Sequence, residues 1–290
     1  MGEISHVGGS APEGSPLIGA ATPPDLHIMS WNIRRRMDGL AWRKADRWDV
    51  RAPALRTLLQ TELPTMLCVQ EALPSQASFV LESLGDTYRF VGHGRDAAQR
   101  GEGCPIFYDA ARLELLEWNQ AALSETPARP GSRSWGNIIP RTLVSARFRD
   151  RATSRTILAV NTHLDHLSSR SRLRSASAIR AVVAASRLPA VVTGDLNDGA
   201  TSATLHALLS GGTLVDTWAR ARARASEEWG TFSNYRAPRR DGKRIDWMLA
   251  TPDFQVTTAA INPRRYGGQW PSDHLPVQAV LTLPQGGETH

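Results

Sequence analysis

The chain has 290 residues, of which 41% are hydrophobic and 21% are charged, as is typical of a globular protein. No apolar run approaches the length of a membrane span, and the first residues lack the charged-then-apolar order of a signal peptide. We therefore expect a cytoplasmic protein without a transmembrane segment. The formal net charge of +6 predicts attraction to anions such as nucleic acid, phospholipid and small phosphate esters.

The N-terminal segment differs in composition from the rest of the chain. It is rich in Gly, Pro, Ala and Ser and shows no periodicity, which predicts a disordered leader over residues 1–24. No repeat of fixed period is visible, and polar residues that could carry chemistry run from Asn32 to His274. We therefore expect one domain over residues 25–285.

Strand and helix patterns follow the leader. A strand over residues 26–34 precedes an amphipathic helix over 51–63 and a buried strand over 66–72. Further strands are predicted over residues 88–91, 104–108, 143–148, 157–162, 190–193, 245–249 and 277–283, and further helices over 168–187 and 202–209.

The stretch VVTGDLND, residues 191–198, passes from an apolar strand to two carboxylates and an amide within four residues. β-branched residues followed by Gly194 predict a core strand that breaks at the glycine. Asp195, Asn197 and Asp198 then fall at the carboxyl end of the strand, where functional loops usually lie. The alternative is a solvated turn, because Asp and Asn bond their own backbone in turns.

Other predicted strands also end in acids, amides or imidazoles. Asp246 is the sharpest case, because RIDWMLA places a carboxylate inside an apolar run, where burial without a partner is costly. Its simplest partner is Arg244 or another arginine, in a buried ion pair. Each such residue has a structural explanation of its own, but their convergence predicts one site. The further strand-end residues are Asn32, Glu71, His163, Asp165, His166, Asp273 and His274.

The residue types at the strand ends favour a hard cation. Carboxylate and amide oxygens suit Mg²⁺ or Mn²⁺, and the chain has no Cys/His cluster with zinc spacing. Cys68 and Cys104 stand in apolar, strand-like surroundings, which favours small buried side chains over a disulfide and fits a reducing compartment. Mg²⁺ usually takes one or two carboxylates plus a substrate phosphate, and Glu71 fits the main ligand.

Six motifs in chain order resemble those of the endonuclease/exonuclease/phosphatase superfamily of metal-dependent phosphoesterases. They are SWNIR, CVQEA, NTHLDH, TGDLND, RIDWMLA and SDHLPV, and the resemblance covers residues 26–283. GEGCPIFYDAARLELL, LSETPARPGS and WGNIIPRT further resemble a bacterial branch of metal-dependent hydrolases. The resemblance implies a deoxyribonuclease-I-like α/β fold, which is a four-layer α/β/β/α sandwich with two packed β-sheets flanked by helices.

The resemblance also implies catalytic roles for residues at the strand ends. Asp195 would orient or deprotonate the attacking water, and Asn197 would hold that water or the phosphate. Asp246 would fix the tautomer of His274, which would donate to a phosphoryl oxygen. His163 would do the same from another side.

The implied metal site uses oxygen ligands. Glu71 and Asn32, with Asp273 through water, would hold Mg²⁺, for which Mn²⁺ could substitute. The chemistry is consistent with the reaction, because a phosphoester needs a cation and fixed donors to stabilise the charge that develops in the transition state. It also needs a carboxylate that takes a proton from water.

Three residues are candidates for binding the substrate. The long loop over residues 124–140 contains Trp135 and ends at Arg141, whose guanidinium could hold a phosphate bidentately. The alternative for Arg141 is a surface arginine at the start of a strand. Asp165 is the third candidate. Relatives in the bacterial branch often carry an aromatic residue just before LSETP, where this chain has QAALSETP, so substrate preference could differ.

We therefore expect a Mg²⁺-dependent phosphoesterase that hydrolyses a small-molecule or lipid-linked phosphate mono- or diester. A metal-dependent nuclease is the first alternative, supported by the arginine-rich segments 34–36, 220–224 and 236–244, although no aromatic-interleaved nucleic-acid motif is evident. An inactive phosphate-binding module is the second alternative, which a missing metal ligand or base would favour, and none is missing. Substrate identity, metal number and oligomeric state stay open.

Overall fold

The computed structural model describes residues 15–39 and 41–284, and two β-sheets lie face to face at its centre. With strands numbered in chain order, the first sheet runs β10 (Ala223–Arg224), β12 (Gln255–Ile261), β13 (Val277–Thr282), β1 (Leu26–Asn32), β2 (Met66–Gln70), β4 (Ile106–Asp109), β3 (Tyr88–Val91). The second runs β5 (Leu113–Ala122), β6 (Thr142–Asp150), β7 (Thr156–His163), β8 (Ala190–Asp195), β11 (Asp246–Ala250), β9 (Val215–Asp216).

Helices cover the outer face of each sheet. Two helices pack on the first sheet and two on the second, and a short fifth helix and two 3₁₀ turns lie in connections. The four-layer α/β/β/α sandwich implied by the motifs is therefore confirmed. In chain order the helices are α1 (Trp48–Glu62), α2 (Pro74–Leu84), α3 (Ser169–Ser186), α4 (Ala203–Leu209) and α5 (Thr217–Arg220), and the 3₁₀ turns are Lys44–Asp46 and Ser210–Gly212.

Three apolar clusters hold the layers together. Ile28 and Phe148 belong to the central cluster between the sheets. Met29, the next residue of β1, faces the opposite way and packs with Leu55 of α1. Ile179 of α3 belongs to the third cluster, on the outer face of the second sheet. Because successive side chains of a strand point to opposite faces, central strands buried on both faces appear as continuous apolar runs.

Every predicted strand and helix is present, with ends within three residues of the prediction. The helices and strands that the sequence patterns did not reveal are α2, β5 and β12 and the short elements β9, α5 and β10. In β5 only the end residues are buried, because most of this edge strand faces solvent or is half-exposed. An edge strand of this kind shows no apolar run that would predict it.

Two expectations drawn from composition can be compared with the fold. Cys68 and Cys104 are buried and free, as predicted, and burial raises the pKa of each thiol to about 12. Within residues 15–39 and 41–284, no helix is both long enough and apolar enough to cross a membrane. The cytoplasmic location stays a prediction.

The predicted disordered leader does not extend to residue 24. The backbone N–H groups of Leu17, Ile18 and Gly19 donate to the buried carboxylate of Glu62, at 2.7, 3.1 and 3.1 Å. A buried carboxylate needs such donors, and this one holds the segment against the end of α1. Residues 1–14 of the predicted leader, and residue 285 at the predicted end of the domain, lie outside the described residues.

Gly194 lies inside β8 and does not break it. The strand continues to Asp195, and a Cβ placed on Gly194 would lie 2.2 Å from the backbone oxygen of Thr162 on β7. The glycine is therefore required by the close approach of two parallel strands. This approach brings the end of β8 beside the end of β7.

We expect Gly194→Ala to lower the free energy of unfolding by about 1–3 kcal/mol, because the added methyl group overpacks against a backbone atom that cannot rotate away. Denaturant-induced unfolding measures the change. Gly199→Ala is the matched control, because a Cβ at Gly199 meets nothing within 4 Å. Equal stability of the two variants would show that β7 and β8 tolerate the extra atom.

Candidate active site

Polar side chains from both sheets meet at one edge of the sandwich. β1 and β2 are parallel, so Asn32, the last residue of β1, lies beside Gln70, the last residue of β2. Glu71 follows Gln70 directly. β7 and β8 are also parallel, with His163 opposite Asp195, and the antiparallel β11 begins with Asp246 opposite the same aspartate. The topology therefore brings together the strand ends that the sequence analysis singled out, and the solvated-turn alternative for the end of β8 is wrong because Asp195 is buried.

Asp195 lies at the centre of this cluster. Asn32 Nδ2 donates to Asp195 Oδ2 at 3.0 Å, and the Asn197 N–H donates to Asp195 Oδ1 at 2.8 Å. The Nε2 atoms of His163 and His274 lie 3.5 and 3.9 Å from Oδ2. Burial, together with the charge of the carboxylate opposite it on β11, raises the pKa of Asp195 to about 7. A carboxylate with this pKa is suited to exchanging a proton near neutral pH.

The partner of Asp246 is His274, whose Nδ1 lies 2.8 Å from Asp246 Oδ2. Burial acts to lower the pKa of His274, but the charge and hydrogen bond of Asp246 hold it well above its usual value. The arginine pairing considered for Asp246 is wrong, because Arg244 instead contacts Asp216 at 2.7 Å and Glu228 at 3.0 Å. His274 is therefore held as a charged donor, with Nε2 directed toward the cluster.

Glu71 and Asp273 form the acidic side of the site. Glu71 accepts hydrogen bonds from Asn32 Nδ2 at 3.1 Å and from the Arg35 N–H at 3.0 Å. Burial acts to raise the pKa of Glu71, but these bonds and nearby positive charges keep it below its usual value, so the group is ionised. Arg34 lies between the two acids, 3.9 Å from Glu71 and 3.8 Å from Asp273. Burial raises the pKa of Asp273.

His163 and Asn197 form the opposite side. Asn197 Nδ2 lies 3.0 Å from His163 Nε2 and donates to the backbone oxygen of Leu164 at 3.0 Å. Burial and the charges of Arg141 and Arg95 hold the pKa of His163 well below its usual value, so the imidazole is neutral. In this arrangement His163 Nε2 accepts a hydrogen bond from Asn197 Nδ2 and orients the amide. Donation of a hydrogen bond from His163 to a substrate stays a prediction.

Arg141 is 2% exposed, so the alternative of a surface arginine is wrong. Its Nε lies 3.4 Å from Asp165 Oδ2 and its Nη2 lies 3.0 Å from His166 Nδ1. Its buried Nη1 has no hydrogen-bond partner among the described residues. A buried guanidinium with a free N–H can bind an anion at modest desolvation cost. Asp165 holds this arginine, and its other oxygen accepts two backbone N–H groups at the start of α3.

Trp135 is half-buried and packs against the cluster beneath α3, while its backbone oxygen accepts a hydrogen bond from Ser168 at 2.8 Å. The structure thus places the Trp135 ring in the packing of the long loop. A role for this residue in binding substrate stays a prediction.

The sequence analysis missed Arg51, which supports the loops of the site. Its side chain is fully buried in α1. Its guanidinium donates to the backbone oxygens of residues 33–35, 46 and 271. A signal was available, because Arg51 precedes Leu55 by four residues and therefore shares its buried face.

We expect Arg141→Lys to weaken the binding of inorganic phosphate by about tenfold, because the planar fork is lost while the charge is kept. Isothermal titration calorimetry measures the affinity. Arg112→Lys is the matched control, because Arg112 forms a similar buried pair with Asp150 at 2.6 Å on another part of the fold. Unchanged phosphate affinity in Arg141→Lys would show that the free Nη1 does not bind the anion.

The family match and the structural neighbours agree with this geometry. A sequence model described as Endonuclease/Exonuclease/phosphatase family matches residues 29–274. An endonuclease/exonuclease/phosphatase family protein from Bacteroides thetaiotaomicron is 29% identical, with a TM-score of 0.85, and the match covers 91% of this chain and 100% of that one. A mannosyl-6-phosphatase from Bacteroides thetaiotaomicron VPI-5482 is also 29% identical, with a TM-score of 0.83 over 89% and 99% of the chains.

More distant structures share the fold. The catalytic domain of human Nocturnin is 17% identical, with a TM-score of 0.67, and the match covers 90% of this chain and 95% of that one. No curated protein matches the chain in sequence. The family match includes the first five motifs in full and the first three residues of SDHLPV. The chain therefore belongs to the endonuclease/exonuclease/phosphatase family, whose members are phosphoesterase hydrolases.

Proposed function

We propose that this protein is a Mg²⁺-dependent phosphoesterase that hydrolyses a small phosphate ester by attack of an activated water. The observation that carries the proposal is the environment of Asp195, which is buried, has a pKa of about 7 and contacts both an amide and two imidazoles. A base of this kind, next to fixed donors and a second ionised acid, is what hydrolysis of a phosphoester requires.

Glu71 fits the metal ion by charge and by ligand type. It is ionised, and Asp273 lies on the same side of the site. Asn32 turns its NH₂ group toward Glu71, while its Oδ1 accepts from the Arg34 N–H, so ligation by this amide requires its other orientation. When bound, Mg²⁺ or Mn²⁺ would stabilise negative charge on the phosphoryl oxygens.

A second group of possible ligands is Asp195, Asp246 and His274, whose ligand atoms lie within 4.8 Å of one another. Two of these residues already bind each other, through Asp246 Oδ2 and His274 Nδ1. Mg²⁺ also prefers oxygen ligands to a protonated imidazole. We therefore assign the ion to Glu71, the proton transfer to Asp195 and hydrogen-bond donation to His274.

The remaining steps use the residues of this chain. Asp195 takes the proton of the attacking water, which the Asn197 amide orients. As the water oxygen bonds to phosphorus the ester P–O bond breaks, and the leaving alkoxide takes a proton from solvent. His274 donates from Nε2 to a phosphoryl oxygen, and Asp246 keeps it charged and in place. Arg141 binds another phosphoryl oxygen through its free Nη1. Together these groups place positive charge where the transition state gains negative charge.

A small ester is favoured over nucleic acid by two observations. A solved structure that is 29% identical and covers 89% of this chain is a mannosyl-6-phosphatase. The exposed Arg239 and Arg240, which could bind a polyanion, are each paired with an acid, Asp241 at 2.5 Å and Glu227 at 2.9 Å. The inactive-module alternative would require the loss of an acid or base, and Glu71, Asp195 and His274 are all in place.

We expect purified protein to hydrolyse small phosphate monoesters only when a divalent cation is present. Activity should fall with excess chelator and return with Mg²⁺ or Mn²⁺, because without a cation the negative charge of Glu71 repels the phosphate and nothing on that side stabilises the charge it gains. Hydrolysis is measured as phosphate release from sugar phosphates and phosphorylated head groups, and as strand cleavage of RNA and plasmid DNA. Full turnover in excess chelator would contradict the proposal, and nicking of plasmid without ester hydrolysis would favour the nuclease.

We expect Asp195→Asn to lower turnover by about a hundredfold or more, because the shape is kept and the proton acceptor is lost. Steady-state kinetics on the best ester of the panel measures the loss. Asp198→Asn is the matched control, because Asp198 lies in the same loop but contacts Arg172, at 2.9 Å. Near wild-type turnover in Asp195→Asn would exclude this residue as the base.

We expect the double variant Arg239→Ala/Arg240→Ala to keep ester turnover and to lose weak DNA binding. When a protein neutralises several backbone phosphates, the logarithm of its DNA-binding constant falls with the logarithm of the salt concentration, with a slope of about −0.9 per phosphate. Binding of one phosphate in a pocket depends only weakly on salt. Salt titrations of DNA binding and of ester hydrolysis make the comparison. Loss of DNA hydrolysis with ester turnover retained would identify the nuclease as the true function.

A further inference from the structure

A small cleft opens beside the acidic side of the site. It has a volume of about 270 Å³. Pockets for drug-sized ligands span about 300–1,000 Å³, so a cleft of this volume has room for a single ring. Its floor is shared with the site, and its walls come from two loops. Its lining includes Arg34, Trp42, Arg43, Asn234, Tyr235 and Asp273.

Asn32 and Glu71 separate the cleft from the proposed base. Asp195 contacts Asn32, and Asn32 in turn contacts Glu71. Beyond Glu71 lie Arg34 and Asp273, where the cleft begins. In phosphoryl transfer the attacking and leaving oxygens are roughly in line. Water activated at Asp195 therefore directs the leaving alcohol toward this cleft.

The cleft walls are held in place by specific contacts. The Tyr235 hydroxyl donates to Asp46 Oδ1 at 2.8 Å, and Arg34 binds both oxygens of the same carboxylate at 3.1 and 3.2 Å. Asn234 and Tyr235 both have left-handed backbones, with φ values of 51° and 59°. Two consecutive residues in this conformation are costly and typically occur at ligand sites. The Asn234 N–H donates to the backbone oxygen of Asp273, which ties the wall to the site.

Trp42 gives the cleft its chemical character. Its indole is fully exposed, at 103% of the reference area, on the loop that forms one wall. Arg43, the next residue, donates to Asn234 Oδ1 at 3.0 Å across the cleft. An aromatic face beside guanidinium, amide and hydroxyl groups suits a ring with apolar C–H faces and hydroxyls around its edge. A sugar ring has this pattern.

We infer that this cleft binds the leaving group of the reaction and selects a single sugar ring, with Trp42 stacking on it. The inference rests on the proposed phosphoesterase function and assigns the alcohol part of its substrate. Trp42, Arg43 and Asn234 determine specificity without touching the reacting phosphoryl group.

The first test compares two esters in Trp42→Ala. For mannose 6-phosphate we expect KM to rise about three- to tenfold with kcat unchanged, because stacking on the leaving group is lost. For ethyl phosphate, which has no ring, both constants should stay at their wild-type values. Trp42→Phe should recover most of the affinity. Equal changes for the two esters, or none for either, would overturn the assignment.

Trp118→Ala is the matched control, because Trp118 is also partly exposed but lies on β5 at a different cleft, near His93 and Arg95. A rise in KM for mannose 6-phosphate in this variant, with Trp42→Ala unaffected, would place the sugar in that other cleft and overturn the inference.

The second test does not depend on turnover. Addition of methyl α-mannopyranoside, a phosphate-free sugar, should shift the indole N–H signal of Trp42 in the ¹H–¹⁵N spectrum of the full chain, with the signal identified by its loss in Trp42→Phe. A shift in a protein that hydrolyses no ester would support the sugar cleft while the proposed function fails. Ester hydrolysis with no shift and no change in KM would overturn the sugar cleft alone.

Discussion

The buried carboxylate of Asp195 is the constraint on which the site depends. A carboxylate that loses its water must gain donors, and here they come from both sheets, through Asn32 on β1 of the first sheet and the Asn197 N–H, which directly follows β8 of the second. The close approach of β8 to β7, which Gly194 permits, places the group within reach of His163. The geometry of the site therefore depends on the packing of the two sheets, because a shift between them would leave the Asp195 carboxylate without hydrogen-bond partners.

Charge is distributed unevenly around that carboxylate. Glu71 and Asp273 lie on one side with Arg34 between them, and a buried arginine, Arg141, lies on the other. Burial and the charge of a neighbouring arginine lower the pKa of Arg141, which shows that its positive charge is incompletely compensated. A phosphate group that bridged the two sides would be attracted by Arg141. A cation bound at Glu71 and Asp273 would cancel the repulsion between these acids and the phosphate. This polarity fits the proposed reaction, in which a metal ion and an anionic substrate bind at the same site.

The apolar patterns predicted the central strands and the helices that pack on them. The polar residues at the strand ends predicted which side chains meet at the site. The edge strand β5 was not predicted, because its half-exposed and exposed positions form no apolar run. Contacts between residues distant in sequence were also not predicted. The motif RIDWMLA indicated that Asp246 needs a partner, but only the packing of the two sheets shows that this partner is His274 and not Arg244. The cleft at Trp42 was not predicted, because an exposed tryptophan in a loop has no periodic signal and its neighbours, such as Tyr235, are distant in sequence.

In the proposed mechanism a metal ion is held at Glu71, whereas Asp195 transfers a proton and His274 donates a hydrogen bond, and Mn²⁺ binding distinguishes these roles. Electron paramagnetic resonance counts free Mn²⁺ during titration of the wild type, Glu71→Gln and His274→Gln. The account predicts that Glu71→Gln weakens binding more than about tenfold and that His274→Gln leaves it nearly unchanged. The opposite result, with binding lost in His274→Gln and kept in Glu71→Gln, would place the ion among Asp195, Asp246 and His274 and contradict the account.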